Sequence, residues 1–159
     1  IEEHRHLLKP PVGNQVVYQD TEFMIMVVGG PNTRTDFHID PAEEFFYQLE
    51  GDMVLKVIED GKPRDVEIKA GEILLLPAFV PPSPQRRADT VGLVVERRRR
   101  QGELDAFAWY CQRCGHELYK ETLQLGDIVQ DLPPVFDRFY ADEAHLSCAR
   151  CGWRMPPRG

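Results

Sequence analysis

The chain has 159 residues, 42% of them hydrophobic and 28% charged, which suits one domain with at most a small appendage. Nineteen Lys and Arg against 26 Asp and Glu leave a net charge of −7, so no nucleic-acid partner is expected, because a phosphate backbone needs a basic face. No apolar run approaches the ~20 residues that cross a bilayer and no signal-peptide pattern opens the chain, which predicts a cytoplasmic protein without a membrane partner.

Gln15–Gln19 and Phe23–Val28 are apolar and β-branched, and Gly29-Gly30-Pro31-Asn32 breaks the run. Glu44–Leu49 leads through Glu50-Gly51-Asp52 into Met53–Glu59, a hairpin signal, and Asp60-Gly61-Lys62-Pro63 turns the chain before Asp65–Ile68. Glu72–Leu76 follows Ala70-Gly71, and a proline-rich stretch from Pro77 to Pro84 precedes the strand Val91–Glu96. Short strands spaced by about ten residues, with no room for helical crossovers, predict an antiparallel sandwich or barrel. The four arginines from Arg97 to Arg100 read as a solvated edge beside a linker. Beyond an aromatic-rich Asp105–Tyr110, two short helices are expected at Leu125–Leu132 and Val135–Ala141, separated by Pro133-Pro134. The expected division is a barrel over 1–105 and an extension over 106–159.

Three constellations carry chemistry. His38-Ile39-Asp40-Pro41-Ala42-Glu43-Glu44 sets an imidazole and a carboxylate six positions apart, at the end of one strand and the start of another. Both can face a barrel interior and bind a divalent metal, or both can be ordinary loop residues. Gly71-x5-Pro77, continuing through Pro82-Ser83-Pro84-Gln85-Arg86, is the second. The third is a pair of knuckles, Cys111-Gln-Arg-Cys114-Gly115 and Cys148-Ala-Arg-Cys151-Gly152. Without a secretory pattern, two C-x-x-C-G units predict a four-sulfur metal site rather than disulfides. Sulfur ligation alone leaves zinc and iron both open, and a structural metal would help a tail short of core residues to fold.

The first two constellations together resemble the paired motifs of the cupin superfamily. The sharper resemblance is to the 3-hydroxyanthranilate 3,4-dioxygenase family, carried by Gly29–His38 (GGPNTRTDFH), Glu43–Leu49 (EEFFYQL), Ser83-Pro84-Gln85-Arg86, Val94-Val95-Glu96-Arg97 and the terminal knuckles. It implies a single-cupin antiparallel barrel, or jelly roll, with a rubredoxin-like four-cysteine appendage. It also implies Fe(II)-dependent opening of the 3-hydroxyanthranilate ring by O2, giving 2-amino-3-carboxymuconate semialdehyde in tryptophan degradation or quinolinate and NAD supply, in a homodimer. By the same resemblance His38 and Glu44 are iron ligands, while Arg34, Arg86 and Glu96 bind and act on the substrate and Asn14 lines its pocket. The third ligand position falls on Pro82, which has no atom to coordinate a metal. That departure leaves a second reading, a catalytically silent cupin that binds small aromatic acids.

Overall fold

The structure, a computed structural model, describes residues 1–8, 13–18, 21–126 and 128–156. Gln19, expected to end the first strand, and Pro10–Val12, beside Asn14, lie outside the described residues. Among those described, twelve strands form three antiparallel groups.

The first sheet runs β1 (Asn14–Val16), β2 (Phe23–Gly29), β10 (Val91–Arg97), β5 (Glu44–Glu50) and β8 (Ile73–Leu76). Its period-2 pattern is visible in β5, where Glu44, Phe46 and Gln48 are buried while Phe45 and Tyr47 are half-buried. The second sheet orders β3 (Asn32–Thr33), β9 (Pro82–Arg86), β6 (Met53–Glu59) and β7 (Lys62–Ile68). Phe46, Val28 and Val94 from the first sheet meet Met53, Leu55 and Val57 from the second in one apolar core. Each buried side chain there contributes roughly 1.5–3 kcal/mol.

The hairpin expected at Asp60-Gly61 forms: Glu59 pairs with Lys62, and both turn residues take positive φ, 50° and 71°. The hairpin expected at Glu50-Gly51-Asp52 does not. Gly51 turns at φ 63°, but β5 and β6 belong to different sheets, so this turn is a corner between layers. The proline-rich stretch, expected to be a connection, ends in strand β9. Its partner β3 reaches only Gln85 and Arg86, so the proline-bearing end has an open side on which a missing N–H breaks no ladder.

The third group joins β4 (Phe37–Ile39), β11 (Asp105–Tyr110) and β12 (Glu117–Leu123). Here β11 pairs with β4, Phe107 opposite His38. Against it packs one helix, α1 (Ile128–Ala141), in place of the two short helices expected. Pro133 and Pro134 lie within it. Val135 and Phe139, one turn apart and fully buried against Trp109, hold it by tertiary packing, which overrides the local cost of the prolines.

Candidate functional site

The inward phase of β5 and β10 brings Glu44 and Glu96 into register. Both carboxylates are buried, at 7% and 4% exposure. Asp40, on the turn between β4 and β5, completes a trio whose carboxylate oxygens lie within 4.8 Å of one another. Taking such groups out of water favours their protonated forms. Burial, with a hydrogen bond to Asp40 adding to it, pushes Glu96 up to about 9. Burial also raises Glu44, against the opposing pull of His38 and Arg34. One oxygen of Glu44, Oε2, is buried without a hydrogen-bond partner.

His38 sits in this interior by a different route. β11 presents Asp105 and Phe107 on one face: Phe107 stacks on the His38 ring at 4.6 Å, and Asp105 Oδ1 lies 2.8 Å from Nε2. Burial alone would raise Asp105, but hydrogen bonds from His38 and Arg99 outweigh it and hold the carboxyl below its ordinary value. An ionised carboxylate only accepts, so in this contact Nε2 carries the hydrogen.

Arg86 is buried at 3% exposure. Its Nη1 donates to Gln48 Oε1 at 2.8 Å, while Nε has no partner. Burial brings its pKa down to about 10, so it stays cationic at neutral pH with one neutral partner. Gly92 makes room for it: a Cβ there would stand 2.6 Å from Nη1 and 2.8 Å from Nη2. Arg34 is forked onto Asp36 through Nε and Nη2, and its carbonyl accepts from Gln85 Nε2 at 3.0 Å. Asn14 is exposed on β1 and is not gathered with the buried groups.

Pro82 is buried and pairs with Val57 of the core. Residues paired across an antiparallel ladder share a face, so position 82 faces the interior and offers no donor atom. The donors that do come together for a divalent cation are the carboxylates of Asp40, Glu44 and Glu96, with Glu44 Oε2 unpartnered.

Sequence reading missed two groups here. Arg99, counted within a solvated run, has a side chain only 10% exposed. It lies 2.9 Å from Asp40 Oδ2, 2.6 Å from Asp105 Oδ1 and 3.6 Å from Glu96 Oε1. The run is solvated only in part: Arg98 is exposed, and Arg97 pairs with Glu103. Asp105 was passed over as the start of an aromatic stretch. Its available signal was an acid leading an otherwise apolar strand.

The four cysteines come together. Cys111 and Cys151 sulfurs lie 3.5 Å apart, those of Cys114 and Cys148 3.6 Å, and all four within 4.8 Å. The two knuckles repeat one backbone pattern, Gly115 N to Cys111 O and Gly152 N to Cys148 O, both 2.8 Å, with both glycines at φ 70°. A tetrahedral ion with ~2.3 Å metal–sulfur bonds needs edges of about 3.8 Å, so the cluster fits one. Backbone N–H groups of Cys151 and Arg150 face the Cys148 sulfur and, against its burial, bring that thiol down to about 7.

The sequence profile described as 3-hydroxyanthranilic acid dioxygenase matches residues 1–140. A curated 3-hydroxyanthranilate 3,4-dioxygenase of Xanthomonas euvesicatoria pv. vesicatoria is 57% identical over 156 residues, covering 98% of this chain and 88% of the relative. One from Jannaschia sp. is 54% identical over 164 residues, covering 100% and 91%. Among solved structures, a cupin-2 domain containing protein from Shewanella frigidimarina superposes with a TM-score of 0.50 at 16% identity, covering 62% of this chain and 93% of that one. That likeness bears out the cupin barrel.

Proposed function

The chain belongs to the 3-hydroxyanthranilic acid dioxygenase family, and on that premise we propose that it opens the 3-hydroxyanthranilate ring with O2 to give 2-amino-3-carboxymuconate semialdehyde. Both oxygen atoms enter the product. The observation that carries this reading is Arg86: a buried guanidinium with one neutral partner and a free Nε is a receptor for an anion. The substrate carboxylate supplies that anion. Glu96, protonated through burial and its contact with Asp40, holds or moves a proton at the ring hydroxyl or amine. Arg34, fixed by Asp36 and Gln85, closes the anionic end, and Asn14 serves at the rim. The apolar inner faces of the two sheets exclude water from the ring.

His38 and Glu44, the latter through its unpartnered Oε2, would hold iron. When bound, iron supplies a centre for an arene with adjacent hydroxyl and amino groups and for O2. The cysteine cluster would hold zinc or iron as a structural ion.

A homodimer is the assembly we infer. The outer face of the first sheet is apolar, with Ile73 64%, Leu75 57% and Phe23 51% exposed beside half-buried Phe45 and Val95, and β8 is an open edge. A second copy would cover that surface. Leu75→Glu should then lower the mass measured by sedimentation equilibrium.

The deciding assay is oxygen uptake with 3-hydroxyanthranilate and added Fe(II), with the semialdehyde followed by absorbance. Substrate binding without any uptake would instead support the silent aromatic-acid binder that Pro82 favours.

A further inference from the structure

We infer that Gln48 is a positioning residue for Arg86: its side-chain amide holds the guanidinium through a neutral acceptor and leaves that charge to select a ligand bearing a carboxylate. The inference deepens the function proposed above and rests on it for the identity of the ligand, but not for the geometry.

Arg86 differs from its fellow arginines in what it faces. Among the described residues, every other arginine that is not exposed is forked onto an acid: Arg5 onto Glu50, Arg34 onto Asp36, Arg97 onto Glu103 and Arg99 onto Asp105. Arg86 is buried more deeply than any of these, and its hydrogen-bond partner is an amide oxygen. It reaches that oxygen from β9 in the second sheet to β5 in the first, so the contact spans the interior between the layers.

Gln48 is built to present that oxygen. It is 1% exposed. Its Nε2 donates to the carbonyls of Glu50 and Gly51 at 3.0 and 2.9 Å, at the corner between the two sheets. Both amide hydrogens are thereby used, which settles the orientation of the group. Turned over, it would set an oxygen against two carbonyls and an NH2 against a guanidinium. The main chain is held as well: Gln48 N donates to Glu72 O at 3.0 Å, and Gln48 O accepts from Gly71 N at 2.7 Å. Gly92 stands opposite Gln48 in the ladder, and its missing side chain leaves the space in which the amide and the guanidinium meet.

The acceptor's neutrality is what matters to a ligand. A carboxylate at position 48 would pair with Arg86 and cancel its charge, as the acids beside the other arginines do. An amide orients Nη1 without cancelling anything, and Nε stays without a partner. The pocket therefore favours an aromatic ring carrying a carboxylate over the same ring without one.

The test uses Gln48→Glu and Gln48→Met in the full chain. Affinities for 3-hydroxyanthranilate and for 2-aminophenol, the same ring without the carboxylate, are measured by fluorescence titration with Fe(II) added and O2 excluded. The parent should prefer 3-hydroxyanthranilate. In both variants its affinity should fall about 10- to 150-fold, the worth of one charge-assisted hydrogen bond, while that for 2-aminophenol stays within about threefold. Placed in an Arg86→Ala background, Gln48→Met should cost nothing further, because the amide acts through the guanidinium. A ligand-free readout is the order parameter of the Arg86 Nε–H, from nitrogen relaxation without added iron, with the signal assigned by its loss in Arg86→Lys. It should be as rigid as the backbone in the parent and as mobile in Gln48→Met as that of exposed Arg87.

Gln48→Met keeps the size of the side chain and removes the acceptor, so it decides the matter even where Gln48→Glu does not fold. Equal weakening of the two ligands would make Gln48 merely structural and the inference wrong. Parental affinity together with a rigid Arg86 in Gln48→Met would overturn it too. If the parent binds both ligands alike while Arg86 loosens in Gln48→Met, the proposed carboxylate contact fails and the positioning role stands.

Discussion

Replacing Gly92 with alanine tests the seat of Arg86 without touching a charged group. Gly92 is not in a positive-φ conformation, so alanine is compatible with the backbone. The new methyl would lie 2.6 Å from Arg86 Nη1, 2.8 Å from Nη2 and 2.9 Å from Gln48 Oε1. The atoms in its way are the far ends of flexible side chains, so the guanidinium swings aside rather than the sheet deforming. Forcing side chains off their rotamers costs about 0.5–1.5 kcal/mol, which for a chain of this size is a fall of only a few degrees in Tm. The larger effect is on the ligand. A charge-assisted hydrogen bond contributes about 1.5–3 kcal/mol, so losing one between Arg86 and the substrate carboxylate weakens binding about 10- to 150-fold. Anaerobic titration of 3-hydroxyanthranilate by fluorescence measures this, with Leu93→Ala, on the outward face of the same strand, as control. Parental affinity in Gly92→Ala would refute both the seat and the assignment of Arg86 to the carboxylate.

Pro82→His should raise the Fe(II) affinity of the barrel, by restoring an imidazole at an inward-facing position, and should raise turnover with it. Iron content after dialysis, compared with the parent, checks this, and equal retention in the two proteins would mean that another residue supplies the third ligand. Cys148→Ser should lower the metal content by one ion and loosen residues beyond Cys111, which metal analysis paired with limited proteolysis detects. For pH, Glu96 in the folded metal-free protein titrates near 9 because of burial, against an ordinary carboxylate value near 4.3. Its folded pKa is the higher one, so the folded state holds the extra proton between these values. Its contribution to stability is full below about 4.3 and declines as pH rises towards 9. Glu96→Gln should flatten that decline in denaturant melts from pH 5 to 9, and an unchanged slope would count against a neutral Glu96.

Local patterns disclosed most strands and the knuckles, because period-2 burial and glycine turns are written in neighbouring residues. They did not disclose partners. Asp60-Gly61 and Glu50-Gly51 look alike in sequence, yet one closes a hairpin within a sheet and the other turns a corner between sheets. The choice is made by which faces must be buried together, a property of the whole barrel. Pro82 and Pro84 concealed β9 because the strand depends on an open side rather than on propensity. Arg99 was illegible for a sharper reason. β10 ends at Arg97, so the alternation that points Glu96 inward no longer governs residue 99. Only its partners, Asp40 and Asp105, separated from it by 59 and 6 positions, show which way it turns.

β11 gives the molecule a shared span. Its first residue, Asp105, grips His38, and Cys111 follows directly after its last, Tyr110. The strand is pinned at one end by the carboxylate network and at the other by the sulfur cluster. Between them runs a ladder through Ala106, Phe107 and Ala108 to β4. In the language of hydrogen exchange, a ladder clamped at both ends opens as one cooperative unit. The amides around His38 and those at the knuckle should therefore exchange with a common opening free energy. Stripping the ion from the cysteines should lower that protection at His38 as well, although the two sites share no ligand.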